Sequence, residues 1–224
     1  MKNSKDPLNE RFILKLKEKF NLKETPNRIE VYDNSHTSSQ NAVSAMIVAD
    51  QNGFNKNQYR KFNIKFEHEL SDSGNKDDVA MMKESLSRRF KHFKEENSSN
   101  HELDPDLIII DGGLPQLSAI KEVFITLKIN IPVICMAKGE NRNAGEETYF
   151  TIDAKKILIT KNSALAFFLQ RLRDEAHRFA ITTHRAKRAK TITKSKLDNV
   201  KNIGAKRKKL LLNHFGSLEK PRLS

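Results

Sequence analysis

The chain has 224 residues, 37% of them hydrophobic and 31% charged, enough to bury one sizeable core and carry a small appendage. No apolar run approaches the roughly 18 residues of a membrane span, and the opening MKNSKDPLNE lacks the apolar centre of a secretory signal. Composition therefore points away from membrane and secreted classes, and a cytoplasmic protein with no membrane partner is expected. The net charge of +13 is unevenly placed: residues 171–224 hold 16 Lys/Arg against 4 Asp/Glu, while the first 170 hold 25 against 24. A basic tail on a nearly neutral body is the electrostatic footprint of a nucleic-acid binder, because cationic side chains release counterions from phosphates. The plainer alternative is a solubilising or anionic-membrane-binding tail.

In chain order, a polar, Lys-rich leader contains one apolar patch, FILKLKEKFNL, suited to a short helix. Three strand-like runs follow, RIEVYDNSH, AVSAMIVAD and QYRKFNIKF, with the turn signal Asn52-Gly53 between the second and third, so an antiparallel meander is predicted. Asp77 and Asp78 open DDVAMMKESLSRRFKHF, where Val79, Met82, Leu86, Phe90 and Phe93 recur at helical spacing behind acidic residues that suit a helix N-terminus. KEENSSNHELDP reads as an exposed loop. The apolar strand DLIIIDGG, the helix LPQLSAIKEVFITLK and the apolar strand IPVICMAKG form a strand–helix–strand unit, which argues for a parallel pair buried on both faces. The lone cysteine, Cys135, falls in that last strand and is expected to be a buried structural thiol. ETYFTIDAKKILIT suits a peripheral hairpin, and Ser163 starts a long helix through about Lys190. This order predicts an α/β fold, a mixed sheet flanked by helices, with the element sequence of a ribonuclease H-like nuclease.

Two aspartates interrupt apolar runs at strand ends: Asp33 in IEVYDNSH and Asp111 in LIIIDGG. Open α/β sheets place their ligands there. A carboxylate in such a place is costly unless it is paired, hydrogen-bonded or metal-bound, and two on neighbouring strands suit a hard cation such as Mg²⁺ or Mn²⁺. The bland reading of either one is a turn or helix cap. At about 100° per residue, the stretch RLRDEAHRFAITTHRAKRAK divides into two faces. Phe168, Leu169, Leu172, Ala176, Phe179, Ala180 and Thr183 face the sheet; Arg171, Asp174, His177, Arg178, Arg185 and Arg188 face away, and only Ile181 breaks the pattern. His177 thus sits among arginines able to hold phosphates bidentately.

RIEVYDNSH, DDVAMM, LIIIDGG, MAKG and RLRDEAHRFAITTHR occur in that order across roughly Arg28 to Lys190, and together they resemble the C-terminal half of the UvrC family, the incision component of the excinuclease ABC system. LDNVKNIGAKRKKLLLNHFGS extends the likeness, being similar to the first hairpin of that family's tandem helix-hairpin-helix module. The resemblance implies three parts: a leader or linker at 1–27, a ribonuclease H-like endonuclease domain at 28–190, and an incomplete helix-hairpin-helix DNA-binding segment at 191–224. It further implies a DNA repair endonuclease of nucleotide excision repair, hydrolysing a phosphodiester on the 5′ side of a lesion. Damaged double-stranded DNA would be its substrate, the excinuclease component UvrB a partner, and UvrA an indirect one. The family's Asp-Asp-His metal set maps onto Asp33, Asp111 and His177, and its further acidic position onto Asp77.

Chemistry fits those roles. A metal between the two aspartates would activate water, with His177 either completing the coordination shell or transferring a proton. Lys138 and Arg178 are candidates to stabilise transition-state charge; Glu175 is a weaker candidate, and His36 can orient Asp33 or a phosphate. Arg178, Arg185, Arg188, Lys190, Lys206 and Arg207 are expected DNA contacts. Two departures stand out. Leu114-Pro115 replaces the family's basic residue and glycine after DGG, and Asn202 stands at a usual glycine of the hairpin turn. The family's second hairpin, N-terminal nuclease and UvrB-binding segment have no counterpart here, so at most one of two cuts is expected. The alternative function is a non-catalytic or partner-dependent DNA-binding fragment.

Overall fold

The computed structural model describes residues 7–35, 42–64, 74–91, 104–137 and 147–193, together with residues 204, 207 and 210; for residues 7–9, 35, 74–77 and 183–193 it describes the backbone alone. Among them, four helices cover an open, mixed sheet: α1 (Pro7–Phe20), α2 (Gly74–Arg89), α3 (Leu114–Leu127) and α4 (Ala164–Thr193). The strands are β1 (Ile29–Ser35), β2 (Val43–Asp50), β3 (Gly53–Phe54), β4 (Arg60–Asn63), β5 (Leu107–Asp111), β6 (Val133–Ala137), β7 (Thr148–Thr151) and β8 (Lys156–Ile157). Their order across the sheet is β3-β2-β1-β5-β6-β7-β8, with β4 also paired to β2. This is the predicted α/β ribonuclease H-like architecture. No helix among the described residues is long and apolar enough to cross a membrane.

The centre of the sheet is where the parallel runs lie. β1 pairs with β5 and β5 with β6 in parallel, joined by the α3 crossover, while β1–β2 and β6–β7 are antiparallel. The start of the β1–β5 pair is pinned by Asp106. Its Oδ2 accepts from the backbone N–H groups of Asn27 and Arg28, 2.8 Å each, and its own N–H donates to the Arg28 carbonyl at 2.9 Å. The glycine after β5 is set by close approach: a Cβ on Gly112 would come within 3.0 Å of Gln116 Cγ. Gln116 Oε1 accepts from Gly113 N–H at 2.9 Å and closes the first turn of α3, where Pro115 loses no needed hydrogen bond.

Alternation along each strand sends successive side chains to opposite faces. Tyr32, Met46, Ile108, Ile110 and Cys135 pack with Met82 and Leu86 of α2, with Phe90 just after it, and with Ile120 and Phe124 of α3. Ile29, Val31, Ile47, Ile109 and Met136 pack on the other face with Leu169, Leu172 and Ala176 of α4 and with Ile13 and Leu16 of α1. The N-terminal segment expected to be a leader is therefore part of this core: Ile13, Leu16 and Phe20 are buried, and Phe12 stacks on Phe168 at 5.3 Å.

Two elements differ from their predicted bounds. The predicted run QYRKFNIKF begins as a strand only at Arg60, in β4, after a 3₁₀ turn at Lys56–Gln58, and the predicted turn segment before it carries the two-residue β3; both short strands pair with β2. Helix α2 begins at Gly74, so Asp77 and Asp78 lie inside it rather than at its cap. The 94–105 loop, apart from its last two residues, and Phe93 lie outside the described residues.

One buried charge network ties the sheet to α2. Glu30 is fully buried on the α2 face of β1 and accepts from Arg89 at 2.8 Å, from Arg28 at 2.9 Å and from the Tyr32 hydroxyl at 2.7 Å. Burial, then the Glu30 charge, raises the Tyr32 phenol well above its ordinary range, so the hydroxyl keeps its proton and remains a donor. Removing one member of such a set strands the opposite charge in the core, whereas an exposed pair such as Lys83–Glu122 contributes little. Glu30→Ala is expected to lower stability by about 3–5 kcal/mol in urea denaturation, and Lys83→Ala by less than about 1 kcal/mol.

Candidate metal centre

The alternation that buries the core also collects three polar side chains. Counting by twos from Val31 puts Asp33 on the α4 face of β1, and counting from Ile109 puts Asp111 on the same face of β5. The register Val31↔Ile109 and Tyr32↔Ile110 brings the two strand ends side by side. Helix α4 starts at a Ser163 cap, whose Oγ accepts from the Ala166 N–H at 3.2 Å, and its buried stripe fixes its rotation. That rotation lowers His177 onto Asp33, with Nδ1 2.9 Å from Oδ2.

One ligand atom from each of Asp33, Asp111 and His177 lies within 4.8 Å of the others, the one such group among the described residues. Asp33 is 5% exposed while the His177 side chain is 57% exposed, so the cluster is rooted in the core and open on its outer side. Two carboxylate oxygens and an imidazole nitrogen on rigid elements form a donor set that fits a divalent cation. Asp33, nearly buried on an apolar strand, is partnered by His177, and a cation between the three groups would add to that pairing.

Arg173 and Glu147 add to the site, though neither is singled out as a candidate by the sequence. Arg173 lies one helical turn before His177 and pairs with the largely buried Glu147 at the start of β7. Burial opposes the Arg173 charge, but the hydrogen bond to Glu147 and the charges of Glu147 and Asp111 outweigh it and raise its pKa. A cation thus stands in the field of Asp111. The i−4 spacing of Arg173 from His177 is a usable signal; Glu147 becomes a partner only through folding.

On the other flank, Glu175 accepts from Arg178 Nε and Nη2 at 2.6 and 2.7 Å and from the Tyr59 hydroxyl at 3.0 Å. The Arg178 hydrogen bonds hold the Glu175 carboxyl below its ordinary range although partial burial opposes this. Arg178 is exposed and oriented, its charge balanced by Glu175. Asn34 Nδ2 donates to the Asp78 carbonyl at 3.0 Å, which sets the backbone of the Asp77–Asp78 segment beside the end of β1. The side chains of Asp77, Arg185, Arg188 and Lys190 lie outside the described residues, as do His36, Lys138, Asn202 and Lys206 entirely; Arg207 is helical and exposed. Leu114 is also exposed, at the start of α3.

Cys135 lies behind the cluster, on the α3 face, its Sγ 2.9 Å from the Gly112 carbonyl oxygen. Burial, with the Asp111 charge adding to it, pushes the thiol up to about 12. A raised pKa keeps the group protonated at pH 8, so Cys135 is expected to resist iodoacetamide in the folded chain and to react once urea unfolds it, followed by mass spectrometry.

The family model described as the UvrC RNAse H endonuclease domain matches residues 17–181. The chain is 48% identical over 215 residues to UvrABC system protein C of Bartonella quintana, covering 89% of this chain and 31% of that protein. It is 50% identical over 201 residues to UvrABC system protein C of Zymomonas mobilis, covering 88% and 30%. The chain spans about a third of the length of the curated relatives it matches.

Proposed function

The chain belongs to the UvrC ribonuclease H endonuclease-domain family, and from that premise we propose that it hydrolyses a DNA phosphodiester on the 5′ side of a lesion during nucleotide excision repair. The observation that carries this reading is the convergence of Asp33, Asp111 and His177 at the C-terminal ends of two parallel strands. The relatives' name, UvrABC system protein C, supports damaged double-stranded DNA as substrate and the companion proteins UvrA and UvrB as partners in the longer protein.

The cofactor assigned to the cluster is Mg²⁺ or Mn²⁺, which when bound polarises a phosphate oxygen and lowers the pKa of a coordinated water. Asp33 and Asp111 each present a carboxylate oxygen from a strand end that cannot swing away, since both strands continue into the core. His177 presents a ring nitrogen from the solvent side. Its nearness to Asp33 and Asp111 supports a place in the donor set, and its ring can equally carry a proton there. Asp77 is the further acidic position, supported by the tie of the Asp78 carbonyl to Asn34. Arg173 keeps positive charge near Asp111, and its pairing with Glu147 holds the start of β7 against α4. Lys138 and Arg178 are assigned to the charge that grows on the phosphate.

Binding of the duplex is assigned to Arg178, Arg185, Arg188 and Lys190 on α4, and to Lys206 and Arg207 in a helix-hairpin-helix segment at 191–224, where the basic surplus supports contacts with phosphates rather than bases. Asp33→Asn removes one anionic ligand while keeping size and hydrogen bonding. In Mg²⁺ or Mn²⁺, nicking of a lesion-bearing duplex by this variant is expected to fall by at least about 100-fold, with duplex affinity by anisotropy within about two-fold of the parent. Undiminished nicking would remove Asp33 from the site.

A further inference from the structure

Beside the metal cluster, the outer stripe of α4 carries, apart from Arg178, chemistry that phosphate cleavage does not use. Phe167, Gln170, Arg171, Asp174 and Arg178 recur at three- and four-residue spacing, and with Phe54 of β3 they line an open cleft of about 400 Å³. That volume falls in the range of about 300–1,000 Å³ typical of small-molecule clefts. The Arg171 guanidinium lies over the Phe54 ring, 5.3 Å from its centre, so the pair offers a flat platform. Phe167, one turn earlier on α4, is 55% exposed although most other large apolar side chains of the helix are packed inward. Gln170 brings an amide that can both donate and accept.

Charge decides between ligands. Arg171 and Arg178 are matched by Asp174 and Glu175, and Glu175 is already hydrogen-bonded to Arg178 and Tyr59. With two arginines offset by two carboxylates, the cleft offers a phosphate little beyond the contact assigned to Arg178 at its edge. Flat aromatic and guanidinium faces with an amide at the edge suit an uncharged, planar group carrying donors and acceptors, which is a nucleobase. In a duplex those base faces are covered by their neighbours, so only an unpaired strand can offer one. Asp174 on the rim is three residues from His177, which places the cleft one helical turn from the metal cluster.

We infer that the Phe54–Phe167–Arg171 cleft stacks a base of an unpaired DNA strand next to the point of cleavage. This rests on the nuclease reading for its partner, but its residues and its readout are separate. The cleft would let the chain distinguish locally opened DNA from intact duplex without reading sequence, because every base has a π-face.

The test measures, by fluorescence anisotropy with the 224-residue chain, affinity for a duplex containing a short unpaired bubble and for the fully paired duplex of the same sequence. Phe167 is largely exposed, so Phe167→Ala leaves the core intact. The expected result is a loss of about 5- to 100-fold on the bubble and less than about two-fold on the paired duplex. Arg171→Lys keeps the charge and removes the plane, and is expected to weaken bubble binding in the same selective way. Equal losses on both DNAs, parental affinity in both variants, or a parent with no preference for the bubble would each overturn the inference. Loss of nicking in Asp33→Asn alongside any of those results would overturn the cleft alone and leave the nuclease reading standing.

Discussion

The parallel pairing of β1 with β5, in the register that sets Val31 against Ile109, governs which polar groups reach which side of the sheet. Side chains alternate, so β1 carries Glu30 and Tyr32 toward α2 and Asp33 toward α4. A slip of one residue would expose Glu30 to the apolar stripe of α4 and bury Asp33 beside Arg89. The chain resists this slip at three points: the Asp106 clamp where the strands begin, the apolar contacts on both faces, and the Arg28–Glu30–Arg89 set. The buried ion pairs matter here less as net stabilisation than as a specification of register, since the paired state is favoured mainly against states with an orphaned charge.

Helix α4 converts that register into a site. Its buried stripe of Phe168, Leu169, Leu172, Ala176 and Ala180 seats it on β1 and β2, and its polar side is held at two places by groups from distant parts of the chain. Arg173 meets Glu147 on one flank; Glu175 meets Tyr59 on the other. These braces fix the turn of helix from which His177 reaches Asp33, while its ring stays open to solvent. Rigid support around an exposed donor is what a site requires when a phosphate must approach it from outside.

Asp33 and Asp111 are legible in the sequence because each ends an apolar run with a residue that such a run cannot tolerate without a partner. His177 is legible because a helical projection separates it from the buried stripe. The α3 and α4 segments and Cys135 are legible for similar reasons of periodicity and composition. Other features are not. Arg173 and Glu147 are 26 residues apart, and Tyr59 and Glu175 are 116 apart, distances over which no local pattern announces contact. The α1 segment looks like a leader because its apolar positions have no visible partner until α4 and the sheet create one. Asp77 and Asp78 imitate a helix cap while α2 begins a turn earlier. The cleft lined by Phe54 and Phe167 depends on a two-residue strand that is too short to be read in advance.

Two strand-end aspartates and one helix histidine would together hold a single metal ion. The most direct measurement is an anomalous difference map from crystals of this chain soaked in Mn²⁺. A peak is expected about 2.0–2.3 Å from a carboxylate oxygen of Asp33 and of Asp111 and from a ring nitrogen of His177. A map with no peak there, or with manganese bound only elsewhere, would contradict that assignment.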